Sequence, residues 1–221
     1  MSLRAAVFDL DGTLIDSAPA LNHAVNGMLA DLGRAPLDLA RTTAFIGNGV
    51  AKLVERALAA TGGGAPGARA LFDARYAATP AALTTVFPGV AEALAALRAR
   101  GLRLGVCTNK PQGPAEKVLA ETGLAEFFDA TVGGREGAAL KPDPAPLRLC
   151  LESLGADPAA ALFVGDSEID AETARAAGVR FALFTLGYRK TPAEALPALW
   201  RFDAFAALPG FAAALDAAAA E

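Results

Sequence analysis

The feature that most constrains the fold is a short apolar run near the start of the sequence that ends in two aspartates. The stretch from Ala5 to Leu10 is apolar apart from Asp9, and Gly12 cuts it off, so it predicts a buried strand. A buried carboxylate loses its hydration unless it is paired or bound to a cation, so Asp9 and Asp11 should lie where this strand ends. Open α/β sheets bind ligands at the carboxyl ends of their strands. The run therefore predicts the edge of such a sheet, with a polar site beside it.

The later part of the sequence alternates between strand and helix patterns. Apolar runs past Pro88 predict four further strands, at residues 102–107, 129–132, 161–164 and 181–185. Helical patterns separate these runs, which predicts a parallel sheet with helices on both faces. We interpret Trp200 and Phe202 as packing residues, and the alanine tract at residues 217–220 as a terminal helix. The predicted fold class is α/β, with a Rossmann-like parallel sheet as its core.

The segment between the first strand and Pro88 has a different pattern. Apolar residues recur at helical spacing from Ala18 to Leu32 and again in three later stretches, and no convincing strand pattern occurs there. We therefore predict that a small all-helical unit, residues 16–85, is inserted after the first strand of an α/β core, residues 1–15 and 86–221. This segment is called the helical unit below.

Composition excludes several kinds of partner and location. The 20 basic and 24 acidic residues are interspersed, and no long basic stretch offers a nucleic-acid footprint. Asp9 and Asp11 interrupt the first apolar run, so no signal-peptide pattern is present, and no stretch is long and apolar enough to span a bilayer. Cys107 and Cys150 lie in apolar surroundings, as expected for buried thiols in a reducing compartment. We expect a cytoplasmic monomer or homodimer without nucleic-acid or membrane partners.

Polar residues follow three of the predicted strands. Because parallel strands all point the same way, their carboxyl ends share one edge, and three pairs should meet there: Asp9 and Asp11, Thr108 and Asn109, Asp166 and Asp170. Lys141 lies in the loop that approaches the fourth strand and could reach the same place. Four acids, one hydroxyl and one lysine around a single crevice indicate a functional site.

The acids and the donors at this edge suit two different ligands. Asp166 and Asp170 can face one another at a helix start, and with Asp9 nearby each like-charge pair at ~4 Å costs on the order of 4 kcal/mol at an effective dielectric of about 20. A divalent cation removes that cost, and open sites of hard oxygen ligands suit Mg²⁺. Thr108, the backbone amides after it and Lys141 suit the oxygens of a phosphoryl group. The edge therefore predicts a Mg²⁺ site and a phosphoryl site, with Asp9 between them.

Asp9 and Asp11 predict chemistry at phosphorus. The Asp9 carboxylate is ionised at pH 7 and can attack phosphorus to give an acyl-phosphate, if Mg²⁺ and Lys141 offset its repulsion from the phosphate. Asp11 is then placed to protonate the leaving oxygen and later to take a proton from water. Hydrolysis requires only that water reach the intermediate.

Four motifs resemble those of the haloacid dehalogenase superfamily, in the same order and at fitting separations. They are Phe8-Asp9-Leu10-Asp11-Gly12-Thr13, Thr108-Asn109, Lys141-Pro142 and Gly165-Asp166-x-x-x-Asp170. The resemblance covers essentially the whole chain. It implies that Asp9 is the nucleophile and Asp11 the general acid and base, and that Thr108 and Lys141 contact the phosphate.

The same resemblance implies a bound metal ion and a cap that moves. Mg²⁺ would be held by Asp9, the backbone carbonyl of Asp11 and Asp166, with Asp170 as a ligand through water or as an orienting residue. The helical unit resembles the helical cap of the superfamily, which closes over the crevice.

A finer resemblance, to bacterial phosphoglycolate phosphatases, rests on secondary motifs. They are Leu14-Ile15-Asp16-Ser17-Ala18-Pro19, Ile46-Gly47-Asn48-Gly49-Val50, Arg56-Ala57-Leu58, Thr108-Asn109-Lys110-Pro111 and Val164-Gly165-Asp166-Ser167. Related phosphatases that act on sugar phosphates or pyrophosphate share much of these motifs. The segment from Gly187 to Lys190 departs slightly from the pattern and receives no interpretation from the sequence.

A two-carbon phosphate that carries a carboxylate needs a second cationic contact. Lys52 and Arg56 follow a Gly-Asn-Gly turn in the helical unit, and Lys110 follows the predicted phosphate contact. We hypothesise that at least one of these cations meets the substrate carboxylate. The predicted substrate site is completed by Gly47, Asn48 and Asn109.

Other functions share parts of this pattern. The main prediction is a Mg²⁺-dependent phosphatase for a small phosphorylated metabolite, most simply 2-phosphoglycolate. Alternatives are a phosphatase for a sugar phosphate or pyrophosphate, and a phosphosugar mutase, which must keep bulk water from the aspartyl-phosphate. A phospho-accepting signalling domain also uses strand-end aspartates, Thr and Lys, but it explains neither Asp11 nor the helical unit. A degenerate binding protein is disfavoured because all four motifs are intact.

Overall fold

Six parallel strands form the sheet that positions the site. The structure, a computed structural model, describes residues 2–218. In chain order the strands of this sheet are β1 (Ala5–Phe8), β4 (Arg103–Pro111), β5 (Ala130–Gly134), β6 (Ala161–Gly165), β7 (Arg180–Phe184) and β8 (Trp200–Phe202). Across the sheet the order is β5-β4-β1-β6-β7-β8, so β1 is central and pairs in parallel with both β4 and β6. The parallel α/β fold predicted from the strand and helix alternation is confirmed.

Helices cover both faces of this sheet. They are α5 (Val90–Ala99), α6 (Gln112–Glu121), α7 (Ala145–Ser153), α8 (Glu168–Ala177) and α9 (Leu208–Ala218). Successive residues of β1 point to opposite faces: Ala6 and Phe8 pack with α5, α6 and α9, whereas Ala5 and Val7 pack with α7 and α8. Because both faces are buried, the strand is a continuous apolar run. Residues 219 and 220 of the predicted terminal helix lie outside the described range.

The edge of the sheet differs from the prediction. Residues 200–202 pair with β7 as a sixth strand, so the prediction of five strands is wrong. The sequence patterns indicate only a packing role for Trp200 and Phe202. Three residues are too few to show a strand period in sequence. The packing itself is present, since the Trp200 ring stacks on Phe211 with centroids 4.3 Å apart.

The helical unit has an apolar core of its own. Its helices are α1 (Ala18–Asp31), α2 (Leu39–Thr43), α3 (Val50–Ala60) and α4 (Ala68–Ala77). Apolar side chains from α1, α3 and α4, among them Met28, Leu53 and Phe72, form a cluster separate from the two that cover the sheet. The expectation that residues 16–85 contain no strand was wrong at both ends. Two-residue strands β2 (Ile15–Asp16) and β3 (Thr85–Val86) pair antiparallel where the chain enters and leaves the unit.

Two further expectations concern the core and the membrane. Cys107 and Cys150 are both buried free thiols, as expected, and burial raises the pKa of Cys107 to about 12. None of the helices described for residues 2–218 is long and apolar enough to cross a membrane.

Candidate active site

A crevice lies between the carboxyl ends of β1 and β4 and the helical unit. It has a volume of about 420 Å³, part of it open to solvent. Its floor comes from the core and consists of Asp9, Asp11, Thr108, Asn109 and Lys110. Its roof comes from the helical unit and consists of Leu21, Ile46, Gly47, Gly49, Val50 and Leu53. The structure therefore joins a polar floor to a largely apolar roof.

Asp9 follows directly after β1 and is held from two sides. Its Oδ1 accepts a hydrogen bond from the backbone N–H of Leu10 at 2.7 Å and lies 2.9 Å from Nζ of Lys141. Burial raises the pKa of Asp9 to about 7, the Lys141 charge opposes this rise, and the Asp170 charge adds to it. Asp9 is therefore a carboxylate whose ionisation depends on the cations beside it.

Asp9, Asp166 and Asp170 form an acidic cluster. One carboxylate oxygen from each lies within 4.8 Å of the other two. Burial raises the pKa of Asp166 well above its ordinary value, and the charges of Asp170 and Asp9 raise it further. The cluster brings together the three carboxylate side chains that the sequence predicted to lie near one another.

The start of α8 explains why Asp170 points into this cluster. Ser167 caps the helix in a capping box, in which the N–H of Asp170 donates to Oγ of Ser167 and the N–H of Ser167 donates to Oδ2 of Asp170 at 3.1 Å. The Ser167 hydroxyl also donates to Oδ2 of Asp170 at 2.6 Å. Gly165 lies against the same carboxylate, since a Cβ at this glycine would stand 2.5 Å from Cγ of Asp170. The end of β6 and the first turn of α8 thus leave room for the Asp170 side chain and fix its orientation.

Lys141 is the cation of the cluster. Its Nζ lies 2.7 Å from Oδ1 of Asp170, and its side chain is 1% exposed. Burial lowers the pKa of Lys141, but the carboxylates of Asp170 and Asp9 outweigh that effect, so its pKa lies above the ordinary value. Asn109 holds the main chain of Lys141 by donating to its carbonyl at 2.9 Å and accepting from its N–H at 2.8 Å. The lysine is thus fixed and cationic.

The acidic cluster fits a divalent cation. Lys141 pairs with Asp9 and Asp170 but, among residues 2–218, is the one cation bonded to these three carboxylates, so their charge is only partly balanced. Burial first, and then the charges of Asp170 and Asp9, raise the pKa of Asp166. Hard oxygen donors at this spacing are the ligands that Mg²⁺ prefers. Asp9, Asp166 and Asp170 could hold the ion with their side chains.

Asp11 lies in the crevice but makes a different set of contacts. Oδ1 of Asp11 lies 3.0 Å from Nζ of Lys110 and accepts a hydrogen bond from Oγ of Ser17 at 2.5 Å. The Lys110 ammonium lies 4.9 Å from the centre of the Tyr76 ring, which the helical unit contributes. The Asp11 side chain therefore stands apart from the three acids of the cluster, and its predicted part in metal binding concerns its backbone carbonyl.

Thr108 and the predicted glycine turn lie on opposite sides of the crevice. Thr108 lines the floor, and its hydroxyl accepts a hydrogen bond from the N–H of Lys110 at 3.2 Å. Gly47 and Gly49 line the roof, and the Asn109 side chain donates to the carbonyl of Gly47 at 3.0 Å. Asn109 therefore ties the roof to the floor as well as holding Lys141.

The three predicted substrate cations occupy different places. Lys110 lines the crevice. Arg56 holds the turn in shape, since it donates to the carbonyl of Phe45 at 2.8 Å and to Oδ1 of Asn48 at 2.7 Å. Lys52 is exposed and pairs with Glu55 at 2.7 Å. The structure thus brings one of the three cations into the lining of the crevice.

Thr13 and Tyr188, to which the sequence patterns assign no role, also bind the acidic cluster. Thr13 Oγ1 donates a hydrogen bond to Oδ1 of Asp166 at 2.8 Å, and the N–H of Tyr188 donates to Oδ2 at 2.6 Å. A signal was available, because Gly187 and Tyr188 follow the predicted strand at residues 181–185 and so belong to the same edge of the sheet.

Known proteins resemble this chain over most of its length. The haloacid dehalogenase-like hydrolase family matches residues 3–178. A phosphoglycolate phosphatase of Cereibacter sphaeroides is 53% identical over 197 residues, which are 86% of this chain and 89% of that protein. The phosphoglycolate phosphatase of Rhodospirillum rubrum is 49% identical over 214 residues, which are 93% of this chain and 89% of that protein.

Solved structures show the same fold. A predicted phosphoglycolate phosphatase from Haemophilus somnus has a TM-score of 0.88 and 30% identity, over 96% of this chain and 98% of that one. CbbY from Rhodobacter sphaeroides, solved in complex with phosphate, has a TM-score of 0.79 and 27% identity, over 93% of this chain and 97% of that one.

Proposed function

Since the chain belongs to the haloacid dehalogenase-like hydrolases, we propose that it hydrolyses 2-phosphoglycolate to glycolate and phosphate. Membership of the family confirms the resemblance noted in the sequence. One observation supports the proposal above the others: Asp9 lines a crevice with Asp11 and Thr108, while an acidic cluster and a buried lysine adjoin it. The substrate itself is proposed from relatives that are named phosphoglycolate phosphatases at 49% and 53% identity.

Asp9 is the proposed nucleophile. One of its carboxylate oxygens attacks phosphorus, the bond from phosphorus to the ester oxygen breaks, and an aspartyl-phosphate forms on Asp9. Thr108 and Lys141 contact the phosphoryl oxygens and stabilise the charge that develops on them. Asp9, Asp166 and the backbone carbonyl of Asp11 would hold Mg²⁺, which would supply positive charge against the repulsion between the ionised nucleophile and the phosphate.

Asp11 is the proposed acid and base. In its protonated form Asp11 donates a proton to the ester oxygen as glycolate leaves, and the resulting carboxylate then takes a proton from the water that attacks the aspartyl-phosphate. The second step releases inorganic phosphate and returns Asp9 and Asp11 to their starting states. Lys110 and Ser17 both contact Oδ1 of Asp11, which supports a fixed orientation of the carboxyl during both transfers.

Lys110 is the proposed contact for the substrate carboxylate. Among the described residues that line the crevice, it is the one cation. The roof opposite carries Leu21, Val50 and Leu53, and long polar substrates would bury polar groups against it without partners. A short substrate with a second anionic group fits both surfaces.

The helical unit is proposed to act as the cap. It covers the crevice with its apolar roof, and two contacts join it to the core: Asn109 with the carbonyl of Gly47, and Lys110 with the ring of Tyr76. Given this function, we also propose a cytoplasmic location and small phosphorylated metabolites as the binding partners.

A substrate panel tests the function. Phosphate release with Mg²⁺ is measured for 2-phosphoglycolate, ethyl phosphate, glucose 6-phosphate, β-glucose 1-phosphate, pyrophosphate and p-nitrophenyl phosphate. We expect kcat/KM for 2-phosphoglycolate to exceed every other value by at least about tenfold. A preference for another ester contradicts the proposed substrate. Release that stops near one equivalent contradicts the enzyme and favours a signalling domain.

A further inference from the structure

The Tyr188 hydroxyl binds the point at which the chain enters the helical unit. It accepts hydrogen bonds from the backbone N–H of Ser17 at 2.8 Å and of Ala18 at 3.0 Å, and it donates one to Oδ1 of Asp16 at 2.6 Å. One hydroxyl thus uses its donor and both its acceptor positions on three consecutive residues. The contact joins a loop after β7 to a segment more than 160 residues earlier in the sequence.

The main chain of the same loop binds the acidic cluster. The N–H of Tyr188 donates to Oδ2 of Asp166, as described above. Gly187 lies so close that a Cβ there would stand 2.4 Å from Oδ2 of Asp166 and 2.4 Å from the carbonyl oxygen of Gly12. Only a glycine fits between these two groups, so the loop and the Asp166 side chain hold one another in place.

Ser17 links the Tyr188 hydroxyl to Asp11 in the crevice. Its N–H binds the Tyr188 hydroxyl, and its own Oγ donates to Oδ1 of Asp11 at 2.5 Å. Ser17 is completely buried, so its side chain has little freedom to adopt another rotamer. A shift of its main chain would therefore move the hydrogen bond that orients Asp11.

Resting on the phosphatase function proposed above, we propose that Tyr188 is a positioning residue that orients two carboxylates of the site at once. It holds Asp166 through its main-chain N–H, and Asp11 through its hydroxyl and Ser17. The hydroxyl also anchors residues 16–18, so the helical unit can move while the end that enters it stays aligned with Asp11. This gives a role to a segment that the sequence motifs left without one.

Tyr188→Phe tests the hydroxyl and keeps the N–H. We expect kcat on 2-phosphoglycolate to fall about tenfold, because a displaced acid and base transfers protons poorly, with KM within about twofold of the wild type. Mg²⁺ affinity, measured by isothermal titration calorimetry without substrate, should stay within about twofold. Thr185→Val is the matched control: it removes a hydroxyl bond to the carbonyl of Phe202 from the same loop and should leave kcat within about twofold.

A double-mutant cycle tests the path through Ser17. Ser17→Ala removes the hydrogen bond to Asp11, so adding Tyr188→Phe to it should lower kcat by less than about twofold more. If the fold losses in kcat of the two single variants multiply in the double variant, the proposal is overturned. An unchanged kcat in Tyr188→Phe alone would overturn it as well. A lower thermal stability without a lower kcat would show a purely structural role and would overturn it too.

Hydrogen–deuterium exchange separates this proposal from the function on which it rests. The amides of Ser17 and Ala18 should exchange at least about tenfold faster in Tyr188→Phe than in the wild type, and Thr185→Val should leave them unchanged. If wild-type protein hydrolyses no phosphate ester, the proposed function fails and exchange alone decides whether Tyr188 holds this segment. Unchanged exchange at both amides would overturn the proposal in either case.

Discussion

The floor and the roof of the crevice are built from different kinds of residue. The floor, from the α/β core, pairs Asp11 with Lys110 at 3.0 Å and Asp9 with the adjoining Lys141 at 2.9 Å. The roof, from the helical unit, is lined by aliphatic side chains and by a glycine turn that Arg56 holds in shape. The groups suited to chemistry therefore lie at the edge of the sheet, whereas the helical unit mainly covers them with apolar side chains.

The strongest test of this division is removal of the proposed nucleophile. Asp9→Ala should lower kcat on 2-phosphoglycolate by at least about 10⁴-fold, because the aspartyl-phosphate can no longer form. Folding should survive, since Lys141 keeps Asp170 as a partner. Asp157→Asn, at an exposed capping position far along the chain, is the matched control and should keep full activity. More than about 1% residual activity in Asp9→Ala would place the chemistry elsewhere.

The charged floor should make stability depend on pH and on Mg²⁺. The pKa of Asp9 rises from 3.8 to about 7 in the folded protein. An acid whose pKa is raised on folding stabilises the protein below its unfolded pKa, and this contribution is lost as pH rises through the folded value. Metal-free protein should therefore lose on the order of a few kcal/mol of unfolding free energy between pH 3.8 and about 7.

Urea unfolding in a chelator, followed across this pH range, measures the loss. Mg²⁺ should restore more stability at pH 8 than at pH 5, because it binds the ionised form. Asp9→Asn should make this loss smaller, and the raised pKa of Asp166 accounts for what remains. Metal-free stability that rises across the same range would contradict the environment assigned to Asp9.

The contribution of the floor to substrate choice is tested at Lys110. Lys110→Met should reduce the ratio of kcat/KM for 2-phosphoglycolate to that for ethyl phosphate by about tenfold to a hundredfold, since only the first carries a carboxylate. The ratio separates this effect from any loss at Asp11, which both substrates share. Lys52→Met should leave the ratio unchanged. The opposite result, a change at Lys52 and none at Lys110, would move selection to the helical unit.

The smallest expected effect is on the roof. Val50→Ala should raise kcat/KM for 2-phospholactate, which carries one additional methyl group, about threefold relative to 2-phosphoglycolate, because one methylene or methyl in an apolar pocket has a modest effect. Leu39→Ala, at an exposed leucine of the same unit, is the control. A larger gain at Leu39 than at Val50 would show that the roof does not limit substrate size.

The same contrast explains how much the sequence revealed. The positions of Asp9 and Asp166 were predictable because parallel strands bring their carboxyl ends to one edge, and both residues follow a strand directly. Lys141 lies in a loop, and its motif with Pro142 was the signal for its place. The places of Lys52 and Lys110 were not predictable, because a cation on a helix surface or a strand end looks the same in sequence whichever way it points. The short strands and the Tyr188 contacts depend on distant pairing, which local patterns do not record.

The paired strands β2 and β3 have a consequence for how this architecture can vary. Ile15 and Val86 lie opposite one another, so the points of departure and return stand about 5 Å apart, as in any antiparallel pair. The pairing of β2 with β3 therefore fixes where the chain leaves and re-enters the core, but it fixes neither the length nor the fold of the segment between them. A longer inserted segment adds little to the entropic cost of closing the loop. Evolution or engineering could therefore replace residues 16–85 with another domain and keep the α/β core and its site.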